Sequence, residues 1–223
     1  MKISVILRGN FELGGVEMFY KIDIANWERK QHYEVYRQFA NARYDITLEL
    51  DVTNLIKFVR ENQLSFTLTT IHIIAKCANE IDEFRMRIEN NEPVIYDDIR
   101  LSFTYLNKNT NLMKNVVADN DVDVYEFNRR AKEAIENQEV YFTGALGNGI
   151  YQFSSIPWIS YTHVSHTFSG NKDYAVPVFD FGKFYEKNGR MVMPFSIEVH
   201  HAFIDGYHIG LLVEKLQKAL DEM

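Results

Sequence analysis

Three of the seven histidines, His200, His201 and His208, fall within the stretch "VHHAFIDGYH", residues 199–208, together with Asp205 and Gly206. Imidazoles beside a carboxylate have three uses. They can bind zinc, which accepts mixed His and Asp ligands. They can move a proton, because neutral imidazole titrates near pH 7 and can deprotonate a hydroxyl as it attacks a carbonyl. Or they can pack. Adjacent histidines at the end of a strand point to opposite sides and seldom reach one ion without a turn between them. Asp205-Gly206 marks a turn, with glycine tolerating positive φ. Here a strand stops and a helix starts, and such corners present side chains on a rigid base. Asp205, four residues past His201, is placed to hold that corner.

Other residues carry weaker signals. "DFG", Asp180–Gly182, resembles a magnesium-binding triplet, but no Gly-rich phosphate loop or His-Arg-Asp loop accompanies it, so it reads as coincidence. Cys77 lies in an apolar helix and reads as a small core residue. His163 and His166, in "HVSH", sit in a run that reads as a strand, where odd spacing puts them on opposite faces. Ser154 reads as an ordinary strand serine, and Tyr36 and Tyr44 as core aromatics.

These residues need elements to position them. "KISVIL" reads as a short strand and "RYDITLELDV" alternates as a strand, while "TNLIKFVRENQ" places Leu55, Ile56 and Val59 on one helical face. Trp27, Tyr33, Tyr36 and Phe39 approximate a helical stripe with Asn26 as N-cap. "LTTIHIIAKCANEID" reads as a buried helix and "PVIYDDIRLSFTYL" as extended. Val124–Gln138 is an amphipathic helix, with Phe127, Ala131, Ala134 and Ile135 inward, and "GALGNG" is a loop. "IYQFSSI", "WISYTHVSHTF", "AVPVFDFGKFYE" and "RMVMPFSIEV" read as strands. A closing helix carries Ile209, Leu212, Val213, Leu216 and Leu220 at helical spacing. Helices and strands mix without strict βαβ alternation. That predicts an α+β fold, with a mixed or antiparallel sheet and helices on one side.

The chain has 223 residues, 46% of them hydrophobic, enough for one sizeable core and a single domain. The net charge of −7 argues against a nucleic-acid partner. No apolar run approaches the ~20 residues of a membrane span. The N-terminus lacks a secretory h-region and a small-residue cleavage site. One cysteine excludes an intrachain disulfide framework. A cytoplasmic protein is expected.

"HHAFIDGYH" resembles the His-His-x-x-x-Asp-Gly signature of CoA-dependent acyltransferases, and the rest of the chain is similar to the chloramphenicol acetyltransferase family. The segments "IDIANWERKQHYEVY", "DEFRMRIENNEPVIYDDI", "IPWISYT", "VPVFDFGKFYEKNGRMVMPFSIEVHHAFIDGYHIG" and "LQKALDE" run in family order from about Tyr20 to the C-terminus. The first eighteen residues are extra. The resemblance implies a two-layer sandwich of a mixed, largely antiparallel sheet with helices. It implies a homotrimer with active sites between subunits, no metal, and acetyl-CoA as co-substrate entering opposite a small-molecule hydroxyl acceptor. His201 would be the base, and its alkoxide product would attack the thioester directly. Asp205 would pair with Arg29 to hold the corner, and Ser154 would donate to the oxyanion. Tyr36 and Tyr44 would line the acceptor pocket.

The middle of the chain departs from the family, with "LNKNTNLMK" and "HVSHTF" in place of its usual stretches, Asp180 in place of a threonine and Ile204 in place of a cysteine. Base, corner and oxyanion positions are retained while the acceptor side changes. The resemblance then implies an O-acetyltransferase acting on chloramphenicol or another small hydroxyl compound, and Asp180, His163 and His166 point to a more polar or cationic acceptor. A dihydrolipoyl acyltransferase core and a non-catalytic binding relative are the rival readings. The first normally carries lipoyl domains, and the second has no reason to keep all four of His201, Asp205, Arg29 and Ser154.

Overall fold

The computed structural model describes residues 6–7, 19–140 and 147–223. In chain order they form β1 (Ile6–Leu7), β2 (Phe19–Ile22), α1 (Lys30–Tyr36), β3 (Arg43–Asp51), α2 (Thr53–Glu61), α3 (Phe66–Asn79), β4 (Met86–Glu89) and β5 (Glu92–Tyr96). There follow β6 (Arg100–Asn107), β7 (Leu112–Ala118), α4 (Val124–Asn137), β8 (Ile150–Ile156), β9 (Val178–Gly182), β10 (Tyr185–Lys187), β11 (Arg190–His200) and α5 (Gly206–Asp221).

The fold is α+β. A small sheet has the order β1-β2-β5-β4. A seven-stranded sheet runs β10-β11-β9-β8-β6-β7, with β3 on the other edge of β11. β6, β8 and β9 are parallel to one another and the remaining pairs are antiparallel.

Cross-strand partners share a face, and here the two faces of the large sheet differ in chemistry. Phe153 opposes Phe179, Phe179 opposes Ile197, and Ile197 opposes Ile46. This apolar face meets α2, α3 and α5. The other face is polar. Ser154 opposes Asp180, Asp180 opposes Ser196, and Ser196 opposes Thr47. Phe103 and Phe153 are partners, which brings Thr104 beside Ser154, and Thr104 opposes Asn115. A polar row thus crosses six strands.

Several expectations change. The run 158–168 is not a strand but part of a connection, 157–177, that crosses the polar face. β8 ends at Ile156, and Pro157 follows, which has no N–H for a ladder. Asn26 does not cap a helix. Asp23 caps a 3-10 turn at Ile24–Asn26, and α1 begins only at Lys30. Phe39 lies beyond α1 and is exposed. "PVIYDDIRLSFTYL" divides between the two sheets, as β5 and β6. Much of "KISVIL" and "GALGNG" lies outside the described residues.

Among the described residues no helix is long and apolar enough to cross a membrane.

Candidate active site

The corner after β11 is built around His201. The His200 carbonyl accepts from the N–H groups of Phe203 and Ile204, turning the chain, and His201 N–H donates to the Ala42 carbonyl at 2.9 Å. Asp205 then caps α5, its side chain accepting from Tyr207 N–H, which satisfies a donor that a helix start leaves free. Trp27, Tyr33 and Phe203 form an aromatic cluster that docks α1 against this turn.

Arg29, just before α1, spans the corner. Nη1 donates to Asp205 Oδ2 at 2.8 Å, Nε to the Ala202 carbonyl at 2.9 Å and Nη2 to the His201 carbonyl at 3.1 Å. Burial works against the Asp205 carboxylate. The Arg29 hydrogen bond outweighs it and holds the carboxyl below the usual Asp range.

The His201 ring lies flat on Tyr36, centroids 4.1 Å apart and planes 6° apart, with Tyr44 on it at 4.6 Å. Its Nδ1 is buried without a hydrogen-bond partner. Tyr36 and Tyr44 thus flank the imidazole, and burial pushes the Tyr44 phenol up to about 12.

The other two histidines of the motif have separate partners. His200 Nε2 donates to the Lys172 carbonyl at 3.0 Å and Nδ1 accepts from Ala202 N–H, and burial pushes the ring down to about 4. His208 Nδ1 accepts from Asp205 N–H at 3.2 Å, which leaves the proton on Nε2, facing Glu83 at 3.5 Å. Among the described residues, no group of three or more His, Cys, Asp or Glu could hold a metal ion. The role of His208 in closing the cap was not read from the sequence, although an N3 side chain reaching back to an N-cap is a known spacing.

The remaining candidates form a second group. On the polar face Ser154 stands opposite Asp180, whose carboxylate receives His166 Nε2 at 2.9 and 3.0 Å. Asp180 is 1% exposed. His163 lies 3.7 Å from Asp45. Neither histidine is on a strand; both hang from the 157–177 connection. Beside them, Glu198 pairs with Arg43, and Thr47 shares a hydrogen bond with Ser196. Their signal in the sequence is the polar residue that alternates with apolar ones in "QFSSI", "VFDFG", "FSIEV" and "ITLEL".

The two groups are apart. Ser196, in register with Ser154 and Asp180, precedes His201 by five residues. That is about 16 Å along the strand plus about 10 Å across two strand spacings, or roughly 19 Å between α-carbons in one chain.

Ser155, next to Ser154 and on the opposite face, borders a cleft of about 280 Å³ on the helix side, with Ser65, Thr67, Lys132, Pro157 and Trp158 also on its walls.

Comparison with known proteins gives a consistent result. A family model for chloramphenicol acetyltransferase matches residues 17–217. A chloramphenicol acetyltransferase of Proteus mirabilis is 31% identical over 204 residues, 90% of this chain and 94% of that one. Chloramphenicol acetyltransferase 2 of Haemophilus influenzae is 31% identical over 209 residues, 92% of this chain and 98% of that one. A solved chloramphenicol acetyltransferase superposes with a TM-score of 0.84 at 28% identity, over 91% of this chain and all of the other. A probable dihydrolipoamide acetyltransferase of Listeria monocytogenes shares the fold, with a TM-score of 0.63 at 13% identity over 86% of this chain and 89% of that one.

Proposed function

The chain belongs to the chloramphenicol acetyltransferase family and is an acetyltransferase; from that premise we propose that it transfers acetyl from acetyl-CoA directly to a hydroxyl of chloramphenicol or a related small molecule, in the cytoplasm, with His201 as base. The observation that carries the reading is the His201 ring, stacked on Tyr36 and tilted against Tyr44, at the corner that Arg29 and Asp205 hold.

Nε2 takes the acceptor's hydroxyl proton, and the oxygen forms a bond to the thioester carbonyl carbon. The carbonyl oxygen becomes an oxyanion, to which Ser154 Oγ donates. Removal of such a donor costs about 10²–10³ in rate. Collapse breaks the carbon–sulfur bond. The thiolate leaves with the proton held by His201, giving free CoA and the acetyl ester. Arg29 and Asp205 act as positioning residues, fixing the turn that aims the imidazole.

His201 and Ser154 stand roughly 19 Å apart within one chain, too far to act on one carbonyl. We assign them to one site completed by two copies, His201 from one and Ser154 from its neighbour, in a homotrimer. A closed ring of three gives three equivalent interfaces. The cleft bordered by Ser155 and Lys132 suits the CoA arm, approaching from the helix side while the acceptor meets the polar face.

Thiol release from acetyl-CoA with chloramphenicol as acceptor tests the base. Wild type should release thiol only when acceptor is present, and His201→Ala should lower the rate by about 10²–10⁴. Equal rates in the two proteins would remove His201 from the mechanism. Binding of chloramphenicol without turnover would favour the non-catalytic reading.

A further inference from the structure

The imidazole corner is held from a second side, by the far end of the 157–177 connection. A tight turn there is closed by Tyr174 N–H donating to the Asn171 carbonyl at 3.2 Å and by Asp173 N–H donating to Asn171 Oδ1 at 3.1 Å. Arg43 Nη1 donates to the Tyr174 and Val176 carbonyls, each at 3.0 Å, and so ties the turn to β3. The Asp173 carboxylate meets Arg37, the residue after α1. Nε donates to Oδ1 at 3.3 Å and Nη2 to Oδ2 at 3.1 Å. The same guanidinium also holds the turn between β4 and β5, with Nη1 donating to the Asn91 carbonyl at 2.8 Å and Nη2 to Asn91 Oδ1 at 2.9 Å. Lys172 adds two bonds. Its Nζ donates to the Arg37 carbonyl at 3.3 Å, and its own carbonyl accepts from His200 Nε2 at 3.0 Å.

Adjacent residues of one turn, Lys172 and Asp173, therefore hold Arg37 and His200. These are the chain neighbours of the stacked pair, since Tyr36 precedes Arg37 and His201 follows His200. The two rings come from separate elements, α1 and the end of β11, so their parallel contact needs both elements fixed. α1 has seven residues, too few to be stable alone. Arg29 anchors its start and Arg37 its end. The Arg37–Asp173 pair is partly exposed, its side chains 19% and 26% accessible, so it adds little to folding stability. What two N–H···O bonds between one guanidinium and one carboxylate do supply is direction.

We propose that Asp173 is a positioning residue for the base: through Arg37 it keeps Tyr36 flat on His201, as Arg29 and Asp205 keep the turn that carries the imidazole. The inference rests on the acetyl-transfer reading. Loss of this hold leaves the substrates bound but misplaces the base, and a misplacement of about 1 Å can cost about 10²-fold in rate.

Thiol release from acetyl-CoA with chloramphenicol as acceptor, and the ring-proton resonances of protein labelled with carbon-13 in histidine, are followed in wild type, Asp173→Ala and Asp173→Glu. A His201 ring proton over the Tyr36 face resonates upfield, and Tyr36→Leu marks its position without that ring. Asp173→Ala should lower kcat about tenfold, with KM for both substrates within about twofold of wild type. Its His201 resonance should move toward the position in Tyr36→Leu. Asp173→Glu, which still reaches Arg37, should restore most of both. Glu80→Ala, which removes the exposed pair with Lys215, should leave both at wild-type values. Urea midpoints establish that each variant is folded; if Asp173→Ala is not, Asp173→Asn is read by the same criteria. A wild-type kcat or an unmoved resonance in the folded variant overturns the proposal and leaves acetyl transfer standing. A wild type that releases no thiol in the presence of acceptor overturns the acetyl-transfer reading, and this role with it.

Discussion

Arg29 binds Asp205 with one nitrogen at 2.8 Å and uses the other two to hold the backbone carbonyls of His201 and Ala202. One guanidinium thus fixes both the chain that carries the imidazole and the cap of the helix after it. Arg29→Ala should cost about 2 kcal/mol of stability, less than a fully buried pair because Asp205 is partly exposed. It should lower kcat more than it raises KM. Urea unfolding together with steady-state kinetics checks this, and a change confined to KM would speak against a positioning role.

A site shared between copies predicts complementation. His201→Ala and Ser154→Ala chains, each nearly inactive alone, should regain activity when co-expressed, since mixed rings contain interfaces with both groups intact. Random mixing gives about one quarter of the sites of wild type. Activity in the co-expressed sample no higher than in either parent would place both residues in a site within one chain, or outside the site altogether.

His200 gives the fold an acid sensitivity. Its folded-state pKa, near 4, lies below the unfolded value of about 6.5. The unfolded chain therefore binds the extra proton first. The stability from the neutral buried ring is complete above about pH 6.5 and is lost as the pH falls toward 4, by about 2 kcal/mol at pH 5 for this group alone. Denaturant midpoints between pH 7 and 5 should drop in wild type and drop less in His200→Asn. Parallel drops in the two proteins would assign the sensitivity elsewhere, His72 being a second ring whose pKa burial lowers.

Gly182 is the place where the 157–177 connection rests on β9. A Cβ there would meet Pro194 Cγ at 2.8 Å, Tyr161 Cε1 at 2.9 Å and the Ile159 carbonyl at 3.0 Å. Gly182→Ala should therefore lift the connection, weakening the hydrogen bond from Lys183 N–H to the Ile159 carbonyl. Overpacking of this kind costs about 1–3 kcal/mol. The test is whether thermal unfolding and acceptor KM both worsen. A variant as stable and active as wild type would mean that the contact yields without effect.

The sequence carried the long elements well. α4 and α5 follow from apolar spacing, β3 from alternation, and β8 and β11 from strand-like runs, because those signals are local. The run 158–168 failed for the converse reason. Its aromatic and β-branched residues fit a strand, but a strand needs a neighbour to pair with, and neighbours are set by the rest of the fold. The Arg29–Asp205 contact, 176 residues apart, was legible only through resemblance. The row joining Ser154, Asp180 and Ser196 depends on register, which one sequence does not state. "DFG" gains a different meaning in place: Asp180 belongs to the polar face and Gly182 to the contact with the connection.

That register also constrains how the protein can change over generations. Phe179 and Phe181 flank Asp180 and point into the core, buried like the residues around them. Inserting or deleting one residue in β9 would send a carboxylate inward and a phenyl ring outward, exchanging every side chain between faces. Descendants of this chain can therefore retune the polar face by substitution, one residue at a time, while length variation is confined to the connections between strands.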